Sequence, residues 1–272
     1  MGTPAQGTRG SGRDFVLFCL IACAFSWSDW GLVIASSRGW VPFHLGPNPW
    51  GSFGPAVAAL VVTALSGGLP RVRALLGGLL AWRFPLRVWV VALLLPPALV
   101  ALSAAVLAAT GVALRPMAAA RAGELLLLAL LLLVFGGPLG EEIGWRGFLL
   151  PRLLPRMHAI AASLVVAAIW TAWHLPLFWM PGAVQAGGNI LYFAAFVAAF
   201  SILMTWIFVA SGRSLLSAIA FHFAINASTY IGPMLQPELS WPAFNRILLA
   251  ATWLAALVAA RDLWRRARPV AP

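Results

Sequence analysis

Two adjacent carboxylates, Glu141 and Glu142, stand in GGPLGEEIGWRGFLLP (136–151), directly after the apolar run LLLLALLLLVF (125–135). Ionised groups at membrane depth are costly, rare and usually functional. The chain has only seven acidic residues, and two of them are here. Arg146 follows Glu142 by four residues, so on a helix the two share a face in the favourable acid-before-base order. That pairing predicts a charged Glu142 with a fixed rotamer. Glu141 projects to a different face, free for another job. Gly144 and Gly147 predict that a second helix approaches closely. Two further polar clusters follow, Trp170-x-x-x-His174 in AAIWTAWHLPLF and His222-x-x-x-Asn226 in LLSAIAFHFAINAS. Each again has the spacing of one helical turn.

A carboxylate facing two histidines and an amide is equipped to activate a water. The carboxylate takes a proton, a histidine orients the water, and a histidine or amide donor stabilises an oxyanion. The same groups suit a metal, because two histidines and a glutamate (here Glu141, His174 and His222) are common zinc ligands. No local HExxH pattern decides between these readings. There is also a plainer reading. Membrane histidines and asparagines serve as interhelical hydrogen bonders, and Glu142–Arg146 can be a structural ion pair alone.

The elements that position these groups follow from composition. Of 272 residues, 62% are apolar and 9% charged, which excludes an ordinary soluble domain. The pattern predicts an all-α polytopic membrane protein built from spans of about 20 residues. Eight spans are expected, at 15–36, 52–69, 88–110, 124–150, 157–179, 190–210, 214–231 and 244–260. They would form one transmembrane domain over 14–262, between a disordered arm (1–13) and a basic tail (263–272). The first span can alternatively be read as a signal peptide, although its apolar stretch resumes after Asp29. Residues 70–87 carry four arginines among leucines and read as an amphipathic surface piece. Pro96-Pro97 should bend the third span.

All 18 basic residues are arginine, and the net charge is +11. The arginines punctuate apolar runs instead of forming one aromatic-interleaved face, so a membrane surface is the expected partner and nucleic acid is not. With the N-terminus inside, fourteen fall on inner segments and four outside. That bias places the C-terminus in the cytoplasm, and the N-terminus with it. The lysine-free, alanine- and arginine-rich composition suggests a prokaryotic plasma membrane. Cys19 and Cys23 lie one turn apart in an apolar run and read as packing, not a disulfide.

At about 1.5 Å per residue from the inner boundary, Glu141 sits about 16 Å deep, His222 about 12 Å, Asn226 about 18 Å and His174 about 25 Å. Three helices thus bring four polar side chains towards one layer. His174 fits least well, and a bend at Pro138 or tilting must absorb the difference.

EEIGWRGFLLPRL, then WxxxH, then HxxxN resembles the CAAX prenyl protease and bacteriocin-processing (CPBP, or Abi) family of intramembrane endopeptidases. The likeness covers about residues 120–230. It implies that Glu141 is the general base, that Glu142 and Arg146 complete the first motif as support, that His174 helps bind the water, and that His222 and Asn226 form the oxyanion hole. Family members commonly carry phenylalanine where this chain has Trp170, which keeps an aromatic wall. The family has been described both as metalloproteases and as metal-free. The metal-free course is the expectation here, since asparagine is a poor zinc ligand. The expected substrate is a membrane-embedded peptide or lipidated protein, in prenyl-cysteine processing, peptide maturation or bacteriocin immunity. The alternatives are a proton-coupled transporter, for which no inverted repeat is visible, and a non-catalytic scaffold or immunity protein.

Asp29 is expected to hydrogen-bond at a helix end, and Glu124 to sit at a helix N-terminus. His44 and His158 are expected in loops or at helix ends, and the tryptophans as interface anchors and core.

Overall fold

A computed structural model describes residues 12–112, 122–235 and 241–266. Every regular element among them is helical: α1 (Gly12–Ser37), α2 (Gly54–Gly77), α3 (Leu86–Ala109), α4 (Ala122–Phe135), α5 (Pro138–Gly144), a π-helical turn (Trp145–Leu149), α6 (Leu150–Leu153), α7 (Ala159–Trp173), α8 (Ile190–Ala210), α9 (Leu215–Leu235) and α10 (Trp241–Arg266). The protein is therefore an all-α polytopic membrane protein. Among the described residues, six segments are long and apolar enough to cross a bilayer, and two shorter apolar helices, α7 and Leu215–Thr229 of α9, stand where the other two expected spans were placed. Long leucine-rich helices form because their backbone bonds close internally, the one arrangement that hydrocarbon tolerates besides a closed barrel. Their outward faces are apolar, as lipid contact requires: Leu191 is 79% exposed and Val258 72%.

The second span ends close to where expected: the helical stretch Gly54–Gly77 is two helices that meet at a break at Gly68 (φ 65°), two residues before Pro70. Three other boundaries are corrected. The fifth span is shorter than expected: α7 stops at Trp173, and a 3-10 turn (Leu175–Phe178) carrying Pro176 replaces its last turns. At 15 residues α7 is about 22 Å long, too short to cross a bilayer unaided. The last helix runs to Arg266, into the expected tail, and the first begins at Gly12, inside the expected arm. The rest of the arm and of the tail lies outside the described residues.

The fourth span is two helices. Gly137 adopts φ 107°, open to glycine and strained for other residues, and Pro138 starts α5 at its first turn. Helix α5 then packs against α2 at backbone distance. A Cβ on Gly140 would meet the Ser52 carbonyl oxygen at 2.7 Å, and one on Gly144 would meet the Pro55 carbonyl at 2.7 Å. Helix α1 packs along α2, α3 against α9, and α7 and α10 against α8. Phe18 of α1 stacks on Phe148 of the π turn at 4.8 Å and meets the edge of Trp145 at 5.6 Å. The carboxylate-bearing segment is thus enclosed by α1 and α2 on one side and by α7 and α9 on the other.

Candidate active site

Glu141, Glu142 and Arg146 are all buried, the last two completely. The one-turn pair forms as the spacing requires: Arg146 Nη1 donates to Glu142 Oε1 at 3.0 Å. Arg146 lies on the π turn, a form of irregularity that often marks functional positions. Burying such a pair is worthwhile only if further hydrogen bonds complete it. Two do. His222 Nδ1 meets the same Glu142 oxygen at 2.7 Å, and Arg146 Nη2 donates to Ser201 Oγ on α8 at 3.2 Å. Arg146 is therefore an interior group and no part of an inner loop, so the count of inner-loop arginines drops by one without changing the bias.

Glu141 faces away from this pair, towards α7. Its Oε2 accepts from the indole N–H of Trp170 and, at 3.4 Å, from that of Trp145. Trp170 is the hub of the site. Its ring lies 5.4 Å from His222, 6.0 Å from His174, 5.8 Å from Phe200 and 6.4 Å from Trp145, and the Arg146 guanidinium sits over it at 4.7 Å. The depth mismatch of His174 is absorbed here. Trp170, one turn earlier on α7, is the residue that reaches Glu141.

The carboxylate bonded to a histidine is Glu142, not Glu141. Neither histidine hydrogen-bonds Glu141 directly, and both reach it through Trp170. The hydrogen bonds also fix tautomers. His174 Nδ1 lies 2.9 Å from the Trp170 carbonyl oxygen. A carbonyl can only accept, so Nδ1 carries the proton and Nε2 keeps its lone pair. By the same logic His222 donates from Nδ1 to ionised Glu142, and its Nε2 faces away from that pair. Asn226 donates from Nδ2 to the Gly136 carbonyl at 2.8 Å, at the α4–α5 break. That uses one of its two amide hydrogens. Among the described residues, no group of three or more His, Cys, Asp or Glu side chains is placed to hold a metal. Glu141, His174 and His222 do not converge as a donor set in this arrangement.

The remaining candidates fall outside this centre. Asp29 lies within α1, away from its ends, and accepts from the Gly51 backbone N–H at 3.1 Å, pinning the 3-10 turn Trp50–Phe53. His158 caps α7, accepting from Ile160 N–H at 3.2 Å, and packs on Trp264. His44 is exposed in a loop, Glu124 lies in the first turn of α4, and Cys19 and Cys23 are unbridged thiols.

Sequence reasoning missed four contributors: Trp145, Trp173, Ser26 and Ser201. Trp145 follows Glu141 by four residues, the spacing already used for Glu142–Arg146, so it was available to the same argument. Trp173 packs edge-on against His174 at 4.7 Å and donates to Ser26 Oγ of α1 at 2.8 Å. A serine in an apolar run carries no local signal of such a partner.

A helical membrane fold with a buried carboxylate–histidine–arginine centre on separate helices defines the class. Within it, residues 123–228 match the family described as "Type II CAAX prenyl endopeptidase Rce1-like". The chain is 33% identical over 92 residues to "CAAX prenyl protease 2" of Methanococcus maripaludis. That match covers 32% of this chain and 34% of the relative, so the chain spans about a third of that protein's length. All three polar motifs lie inside the segment that matches this family model.

Proposed function

We propose that the protein is a CAAX-type intramembrane endopeptidase that hydrolyses a peptide bond of a membrane-embedded or lipidated substrate. One observation carries the reading. Glu141, Glu142, His174 and His222 come from three separate segments and meet around the Trp170 ring in the protein interior, all within the CAAX-protease-like segment.

The proposed course uses no metal. Glu141 takes a proton from a water as the water oxygen attacks the scissile carbonyl. His174, its Nδ1 committed to the Trp170 carbonyl, accepts the water's other O–H at Nε2. The free amide hydrogen of Asn226 faces the developing oxyanion, and so does His222 as the imidazolium, held at Nδ1 by Glu142 and carrying a second N–H at Nε2. The C–N bond then breaks, and Glu141 returns its proton to the leaving amine. Glu142 and Arg146 orient His222 and touch no substrate. The protein resides in a prokaryotic plasma membrane with both termini in the cytoplasm, in keeping with the arginine bias.

The test is cleavage of a prenylated C-terminal peptide and of an unmodified transmembrane peptide in proteoliposomes. Wild type should release a C-terminal fragment, and Glu141→Gln should lose about 100-fold or more in rate while staying folded. Turnover that persists in chelator supports the metal-free course, whereas loss restored by zinc overturns it. Solute uptake without cleavage would favour a carrier, and biological rescue by Glu141→Gln would favour a scaffold.

A further inference from the structure

The network behind Glu142 ends on a residue outside all three motifs. Ser201 is fully buried in the middle of α8. A helical serine ordinarily turns its hydroxyl back to the carbonyl four residues earlier. Ser103, Ser163, Ser228, Thr229 and Thr252 do so here. Ser201 does not. Its hydroxyl donates across to the Ser163 carbonyl of α7 at 3.0 Å and accepts from Arg146 Nη2 at 3.2 Å. One hydroxyl thus ties α7, α8 and the π turn together at the guanidinium.

This contact sets how Arg146 meets Glu142. Arginine and a carboxylate left alone prefer two parallel hydrogen bonds. Here only Nη1 reaches the carboxylate, and it shares Oε1 with His222. Glu142 Oε2 and Arg146 Nε are buried without a partner. A guanidinium released from Ser201 can rotate to engage both carboxylate oxygens, and it then competes with His222 for Glu142.

We propose that Ser201 is a positioning residue for the hydrolytic site: by holding Arg146 Nη2 it keeps the Arg146–Glu142 pair one-armed, and so keeps Glu142 Oε1 on His222. The proposal rests on the protease reading for its effect on rate, and on geometry alone for its effect on His222.

Ser201→Thr and Ser201→Val are near-isosteric, and only threonine retains the hydroxyl. With the proteoliposome peptide as substrate, Ser201→Val should lower kcat about tenfold or more, the rate equivalent of a lost charge-assisted hydrogen bond. KM should stay within about twofold and Ser201→Thr near wild type, as for a group acting only on the chemical step. Independently of activity, the downfield Nδ1–H signal of His222, read in ¹⁵N-histidine-labelled protein, should persist in wild type and Ser201→Thr and vanish in Ser201→Val. An unchanged kcat and His222 signal in Ser201→Val overturns the proposal. So does equal loss in both variants, which would mark a steric role. If wild type cleaves neither peptide, the protease reading fails, and the His222 signal still decides the positioning claim.

Discussion

Replacing Trp170 with phenylalanine separates what the indole N–H does from what the ring does. The ring contacts survive: a phenyl group can still face His174, His222 and Phe200. The N–H does not, and Glu141 Oε2 keeps only the longer bond from Trp145, at 3.4 Å. A hydrogen bond to a charged group contributes about 1.5–3 kcal/mol. The smaller ring leaves a gap costing about 1 kcal/mol at roughly 24 cal/mol per Å³. The cation–π contact with Arg146 weakens by less than about 1 kcal/mol. Stability should therefore fall by about 2.5–5 kcal/mol, read as a shifted denaturant midpoint in detergent with an unchanged slope. Rate should fall by no more than about tenfold, because Glu141 stays in place through Trp145 and no reacting group is lost. A variant as inactive as Glu141→Gln would refute this reasoning by making the indole N–H part of the chemistry. A variant as stable as wild type would refute it from the other side, showing that the N–H contributes nothing to holding the carboxylate.

Three further variants test the packing. Ser26→Ala removes the acceptor of Trp173 Nε1 and frees the Gly51 carbonyl. It should lower stability by about 1–3 kcal/mol through buried unsatisfied groups and reduce kcat through His174, measured by denaturant titration and peptide turnover. Gly144→Val puts a branched side chain where a single Cβ already meets the Pro55 carbonyl at 2.7 Å. It should prevent α5 from seating on α2 and abolish folded protein, seen as loss of the monodisperse peak in size-exclusion chromatography. Gly147→Ala faces the flexible end of Leu75 and should be far milder in the same assay.

The sequence alone was enough to establish the membrane class, eight apolar segments and three polar motifs, because those depend on composition and on contacts within one helical turn. Glu142–Arg146 is such a contact, and so is the spacing of His222 and Asn226. The close approach of α5 was legible in Gly144 for the same reason: a missing side chain is a local fact with a long-range use. The partners of Glu141 and His222 were not legible. Pairing His222 with Glu142 spans 80 residues, and the Trp170–Glu141 bond spans 29. Nothing in either local stretch says which of two adjacent carboxylates turns towards which helix. The break at Gly137 and the π turn at Trp145–Leu149 make that choice by rotating the two side chains relative to α7 and α9. Ser201 shows the limit most sharply: its role depends on a hydroxyl leaving its own helix, and only the packing of three helices around a buried guanidinium gives it a reason to do so.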